Sequence, residues 1–241
     1  MNDQQPPVKN RDVLKAFSRR KYKTTLMFSL DIVLNLIVIA AMVFIIRTFL
    51  VSPFQVYGPS MCDTLNNIDG KCEHGYGVHR VNKLGYQNFL GWQVGTPKRG
   101  DIVVFHPPQN KDEFFIKRII GLPGETIKLK DGYVYLYNQQ HPEGIKLDES
   151  YLNQTNLGST NPFTENMTIF EIPSDSYFVL GDNRTASSDS RSCFKESISS
   201  GGCNQKGGTP YLKLSHIEGK AWLILWPLSK IAALSDYQYN L

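Results

Sequence analysis

The 241-residue sequence is poor in several features that mark common protein classes. None of its cysteines has the C-x2–4-C spacing usual in a four-cysteine zinc site. There is no basic patch beyond the first 23 residues, which hold seven basic side chains against two acidic ones, whereas the whole chain nets only +4. The remainder is therefore slightly acidic, and no nucleic-acid partner is expected. No internal repeat and nothing resembling a DNA-reading helix-turn-helix is present. Outside one apolar run, no segment sustains a helical period, so an all-β body is favoured. Hydrophobic residues at 41% and charged residues at 20% suit a globular protein rather than a disordered one.

The apolar run is Leu26–Ile46, interrupted only by polar residues such as Asp31 and Asn35. At about 1.5 Å per residue, a helix of this length matches a hydrocarbon layer of about 30 Å. A helix is also the one single segment that satisfies its own backbone there. A cleaved signal peptide and a buried soluble helix are the competing readings. The first is weakened by the length of the run and by the lack of a small-x-small site in Arg47–Pro53. The second leaves the dense basic flank unexplained. Because basic residues stay on the cytoplasmic side, the expected plan is a cytoplasmic tail over 1–25, a transmembrane helix over 26–46 and an extracytoplasmic domain over 47–241. That plan places the protein as a single-pass component of the cell membrane.

Four cysteines lie in the exported part: Cys62, Cys72, Cys193 and Cys203. Local pairing, Cys62–Cys72 and Cys193–Cys203, is the simplest of three connectivities. Cys72, His74 and His79 could suggest a metal, but scattered structural or solvated histidines explain them better, and neither metal nor cofactor is called for. Strand signals follow at Asp101–His106, Glu113–Ile120, Thr126–Lys130, Tyr133–Tyr137, Tyr177–Leu180 and Gly219–Trp226. Asp131-Gly132 between two alternating runs is a strong hairpin signal. Two stretches, 138–174 and 192–208, read as loop-rich insertions.

Three segments could carry chemistry. Ser60 follows Gly58-Pro59 on a tight turn after an extended run, which suits either a plain turn residue or an exposed nucleophile with backbone N–H groups around it. Lys117 stands in an apolar β run, Phe114–Gly121. Either it points to solvent, or it is buried, and burial depresses a lysine pKa until the neutral amine can accept a proton. A serine nucleophile without histidine needs such a base. Residues 181–191 hold carboxylates at Asp182 and Asp189, guanidiniums at Arg184 and Arg191, and hydroxyls between. They suit a solvated loop or a buttress for a catalytic amine.

Taken together these segments resemble the bacterial type I signal peptidases, which cleave exported preproteins. The motifs stand in the family's order: Ser60-Met61…Thr64-Leu65, Gly100–Phe105, Lys117–Glu125 and Gly181-Asp-Asn-Arg184…Ser187…Asp189-Ser-Arg191. Ile217, Gly219-Lys220-Ala221 and Trp226-Pro227 match the closing strand. The resemblance implies a mainly β fold: a transmembrane helix followed by a coiled antiparallel β-barrel catalytic domain with a loop-rich cap. It implies Ser60 as nucleophile and Lys117 as general base. Ser187 would orient the lysine, Asp189 and Arg191 would form a supporting ion pair, and Asp182 would be structural. The oxyanion hole would combine the Ser60 N–H with a donor at Gly58. Phe54, Val56, Met61, Leu65, Val104 and Ile116 would wall small apolar pockets for a small-x-small cleavage site.

Two departures stand out. The family usually reads Ser-Met-x-Pro-Thr-Leu, whereas Asp63 replaces the proline here and Cys62 precedes it; a Cys62–Cys72 bridge would restore rigidity. Residues 192–208 replace a short segment, and a Cys193–Cys203 bridge would tie them down. Phe49, Leu50, Pro53, Phe54 and Phe89–Trp92 suit either a surface dipping into the bilayer or ordinary packing. Among rivals, a self-cleaving repressor-type Ser/Lys protease lacks an anchor, the endoplasmic-reticulum signal peptidases place histidine at the lysine position, and a sortase needs a differently surrounded cysteine. A catalytically impaired, membrane-anchored binding module that retained the fold is the alternative from another class.

Overall fold

The computed structural model describes residues 10–46, 51–56, 58–68, 71–72, 77–82, 86, 88–89, 92–93, 95–195, 203, 208–226, 231–234 and 236–241. The chain divides into two compact units, Met1–Thr48 and Phe49–Leu241.

In the first unit a single helix, α1, spans Asn10–Ile45. It begins well before the apolar run, because the basic stretch is itself rich in lysine and arginine, both good helix formers. Its Thr25–Ile45 portion is long and apolar enough to cross a membrane. Residues 25–46 are all exposed. Two polar side chains in this portion turn back on the helix: Asn35 Nδ2 donates to the Asp31 carbonyl at 2.9 Å and Ser29 Oγ to the Leu26 carbonyl at 2.8 Å. Asn35 is thereby accommodated without an outside partner.

The second unit is built of short antiparallel strands: β1 (Val51–Val56), β2 (Asn67–Ile68), β3 (Lys71–Cys72), β4 (Gly77–Asn82), β5 (Asn88–Phe89), β6 (Trp92–Gln93), β7 (Ile102–Phe105) and β8 (Phe115–Gly121). They continue with β9 (Thr126–Lys130), β10 (Tyr133–Tyr137), β11 (Ile145–Lys146), β12 (Ile169–Glu171), β13 (Ser176–Leu180), β14 (Leu212–Lys213), β15 (Ile217–Trp226) and β16 (Ala232–Ala233). One eight-stranded sheet runs β1-β4-β15-β7-β8-β13-β14 with β16 beside β15, and a four-stranded sheet runs β11-β10-β9-β12. Among the described strands these sheets are open paths, so the coiled antiparallel β-barrel that the resemblance implies is not among the pairings seen.

The β9–β10 hairpin turns on Asp131 and Gly132, at φ 53° and 81°, as the Asp-Gly signal requires. Its alternating strands send Ile127, Leu129, Val134 and Leu136 into a core shared with Phe170 and Phe178. Residues 138–174, expected as a loop-rich insertion, supply β11 and β12 to the four-stranded sheet. Their backbone pairs with that hairpin over only two and three residues, too short a run to leave a period in the sequence. β7 and β8 differ from the hairpin: nearly every side chain is buried, including Lys117 and Arg118. A continuous buried run is what a strand covered on both faces looks like.

Candidate active site

Ser60 lies in the turn four residues after β1 ends at Val56. Gly58 takes a φ of +88°, a conformation that glycine adopts without steric cost, and this turns the chain sharply. The turn then closes on itself: Cys62 N–H donates to Pro59 O at 3.0 Å, and Thr64 and Leu65 N–H donate to Met61 O at 3.1 and 2.8 Å. Residues 181–184 hold it from the other side, with the Asn183 N–H on Ser60 O at 3.0 Å and Asn183 Nδ2 on Pro59 O at 3.1 Å. Beneath the turn Met61, Leu65, Val104 and Ile116 pack into one cluster with Ile102 and Ala221. These are four of the six side chains expected to wall a substrate pocket; those of Phe54 and Val56 lie outside the described residues.

Lys117 reaches this turn from β8, where it pairs with Val103 of β7. Its side chain is 3% exposed, and Nζ lies 2.8 Å from Ser60 Oγ and 2.8 Å from the Ile116 carbonyl. Burial lowers the Lys117 pKa from 10.5 to about 8, against the partial counter-pull of the Asp189 and Asp182 charges. An amine in that range exchanges its proton near neutral pH and can accept one from the hydroxyl beside it.

Behind the pair lie two buried ion pairs from the 181–191 loop. Asp189 bonds Arg191 through Oδ1 to Nε at 2.9 Å and Oδ2 to Nη2 at 2.8 Å, and accepts the Gly181 N–H at 3.1 Å. Although burial opposes its charge, Arg191, the Gly181 N–H and the nearby Ser187 hydroxyl hold Asp189 below the usual carboxylate range. Ser187 Oγ is buried beside the Asp189 carboxylate, and the expected bond to Lys117 is not made. Ser187 nevertheless borders the nucleophile's backbone: a Cβ placed on Gly181 would meet both Ser187 and the Ser60 carbonyl oxygen. Asp182 forks onto Arg118, with Nε at 2.9 Å and Nη2 at 2.7 Å, and also accepts from the Thr64 hydroxyl.

Comparison with known proteins decides the family. The family described as signal peptidase, peptidase S26, matches residues 29–226. The chain is 33% identical to signal peptidase I U of Bacillus subtilis, over 72% of this chain and 79% of that protein. It is 32% identical to signal peptidase IB of Staphylococcus aureus, over 67% of this chain and 79% of that protein. The chain belongs to the S26 signal peptidases. A solved signal peptidase I from Enterococcus faecalis V583 is 30% identical, covers 52% of this chain and 96% of its own, and has a TM-score of 0.35, too low to bear on the fold. As a member of the family this signal peptidase is a serine peptidase that acts in signal-peptide removal.

Several residues of this signal peptidase escaped the sequence reading. Arg118 is 2% exposed and joins Asp182, Thr64 and the Gly100 carbonyl. Arg184 meets Glu149 in a two-pronged ion pair at 2.9 and 2.6 Å, with Thr160 and Tyr151 as further acceptors. The signal for Arg118 was its place in an apolar run, the same one that marked Lys117. Glu149, Tyr151 and Thr160 had no signal, because their stretch read as loop. Cys193 and Cys203 are bridged, with Cα atoms 5.1 Å apart. Cys62 is also half of a disulfide, while the Cys72 side chain lies outside the described residues, as do those of Phe49, Leu50, Pro53, Phe89 and Trp92.

Proposed function

We propose that this signal peptidase hydrolyses preproteins through a Ser60 nucleophile with Lys117 as its general base. The observation that carries the reading is the 2.8 Å contact between Lys117 Nζ and Ser60 Oγ, made by a buried lysine whose pKa falls to about 8. In the neutral form the amine accepts the Ser60 proton as Oγ attacks the scissile carbonyl. The same nitrogen, now an ammonium, returns the proton to the departing amine. A water activated by Lys117 then cleaves the acyl-enzyme. The developing oxyanion would face the Ser60 N–H and a backbone donor at Gly58, whose positive φ turns that peptide plane relative to the strand. Asp189 and Arg191 support the loop that carries Ser187, whose hydroxyl would orient the lysine. Asp182 stays structural, pinning the turn through Thr64.

Met61, Leu65, Val104 and Ile116, packed under the turn, support a narrow apolar subsite that fits the small residues of a small-x-small cleavage site. The basic stretch before an exposed apolar helix supports a single-pass anchor over 26–46, with residues 1–25 cytoplasmic and 47–241 extracytoplasmic in the cell membrane. The bilayer is then a second partner. Coiling of the eight-stranded sheet toward a barrel, with 138–174 as a cap, belongs to the same reading. An impaired binding module finds no support, since both members of the pair are present and in contact.

Cleavage of a preprotein by the full chain, by Ser60→Ala and by Lys117→Ala tests the mechanism. Each substitution should lower kcat at least about 10³-fold, the order seen when a member of a catalytic set is removed. Undiminished cleavage by either variant overturns it.

A further inference from the structure

The segment Asp236–Leu241 has no place in the reaction described above, yet it is bound tightly to the polar network behind the nucleophile turn. It is tethered where Asp236 meets Lys220 of β15 at 2.6 Å, the same ammonium that binds Asp101 at 2.7 Å. Tyr237 then packs its backbone on Gly100, at a φ of +93°, so closely that any Cβ on Gly100 would collide with the Tyr237 carbonyl oxygen. The Gly100 carbonyl is itself an acceptor for Arg118 Nη1, at 2.8 Å. Against the face of that guanidinium lies the Tyr151 ring, its centroid 4.2 Å from the central carbon. Tyr151 is held by the same segment: its ring meets the Tyr237 ring edge to face at 4.7 Å, and its hydroxyl lies 3.0 Å from the Tyr239 hydroxyl. Arg118 is thus held at its edge by Gly100 and at its face by Tyr151, each of which rests on residues 237–239. From Arg118 the connection to the nucleophile is short, through Asp182 and the Thr64 hydroxyl that Asp182 accepts.

Simple core filling would not need these polar groups in this order. A guanidinium that must hold a carboxylate at fixed angle gains from an acceptor on its edge and an aromatic face against its plane. Both are present, and both lose their backing when the segment moves. We propose that Asp236–Tyr239 is a positioning strap which sets the nucleophile turn through Arg118, Asp182 and Thr64. The inference rests on Ser60 as the nucleophile. It adds a remote determinant of turnover that touches no substrate.

The test uses the full chain with Tyr239→Ala and, as the milder variant, Tyr239→Phe, which keeps the ring and loses only the hydroxyl contact. Cleavage kinetics and amide exchange at Thr64 and Leu65, whose N–H groups close the turn onto Met61, are read together. For Tyr239→Ala we expect kcat to fall about tenfold with KM within about twofold, since small misplacements of reacting groups are costly to the chemical step. Exchange at those two amides should quicken about tenfold while Phe105 of β7, whose side chain lies in a different core cluster from the one Tyr239 packs against, keeps its rate. Tyr239→Phe should give a smaller change of the same kind. Unchanged exchange at Thr64 and Leu65, an unchanged kcat, or equal quickening at Phe105 overturns the strap. A failure of the Ser60 reading would be told apart: Ser60→Ala would then cleave normally, while the exchange response to Tyr239→Ala would persist.

Discussion

Lys117 Nζ lies 2.8 Å from Ser60 Oγ although 57 positions separate the two residues in the chain. Neither could bring the other there alone. β8 carries the lysine into the interior beside β7, while Gly58 and the bonds of residues 181–184 to Pro59 and Ser60 aim the serine at it. A lysine so buried, with no carboxylate within bonding distance among the described residues, is expected to give up its proton more readily than an exposed one.

That preference has a cost in stability with a definite sign. The Lys117 pKa is about 8 in the folded protein against 10.5 ordinarily, so the unfolded chain binds the extra proton between those values. Stability therefore rises with pH across that window, and the cost at pH 7 is on the order of 3 kcal/mol. Lys117→Met removes it. Urea unfolding should show the variant more stable than the native chain at pH 7, with the gap closing toward pH 10. A pH-independent gap would place the ammonium in solvent.

Gly181 is the tightest point of the support. A Cβ there would stand 2.5 Å from the Ser60 carbonyl oxygen and closer still to Ser187 Oγ. The serine hydroxyl could swing away, but the Ser60 backbone cannot move without dragging the nucleophile. Gly181→Ala is expected to lower kcat/KM about 10²-fold, with a stability loss of about 1–3 kcal/mol. Wild-type cleavage by this variant would mean that the turn tolerates the displacement.

The Arg118–Asp182 pair separates folding from function. Asp182→Ala strands a guanidinium that is 2% exposed, which should destabilise the protein by about 3–5 kcal/mol in denaturant titration. Replacing both, Arg118→Met with Asp182→Leu, should recover most of that stability. Cleavage should stay impaired, because Thr64 then has no carboxylate to hold the turn. Full activity in the double variant would reduce the pair to packing.

What could be read from the sequence follows the range of the interactions involved. The β9–β10 hairpin was legible because its turn residues and alternating strands lie within a dozen positions. The apolar helix was legible from composition, although its start at Asn10 was not, because the basic stretch bore no apolar face to mark it. Ser60, Lys117 and the Asp189–Arg191 pair could be named from their motifs. Their distances could not, since these depend on β7, β8 and the 181–191 loop meeting in space. Glu149 and Tyr151, which receive Arg184 across 35 and 33 positions, lay in a polar stretch with no period. Short strands there are set by their partners rather than by their own residues. The Ser187 hydroxyl, expected on the lysine, shows the limit in the other direction: a motif names a neighbour, and the rotamer decides the bond.

The pH dependence of kcat/KM for preprotein cleavage tests the paired chemistry of Ser60 and Lys117 most directly. The rate should climb with pH through a single group titrating near 8, the value at which burial sets the Lys117 amine. A rate that does not change between pH 6 and 9 (roughly one unit or more on each side of that value), or one that rises only above about pH 10 like an ordinary lysine, would contradict it.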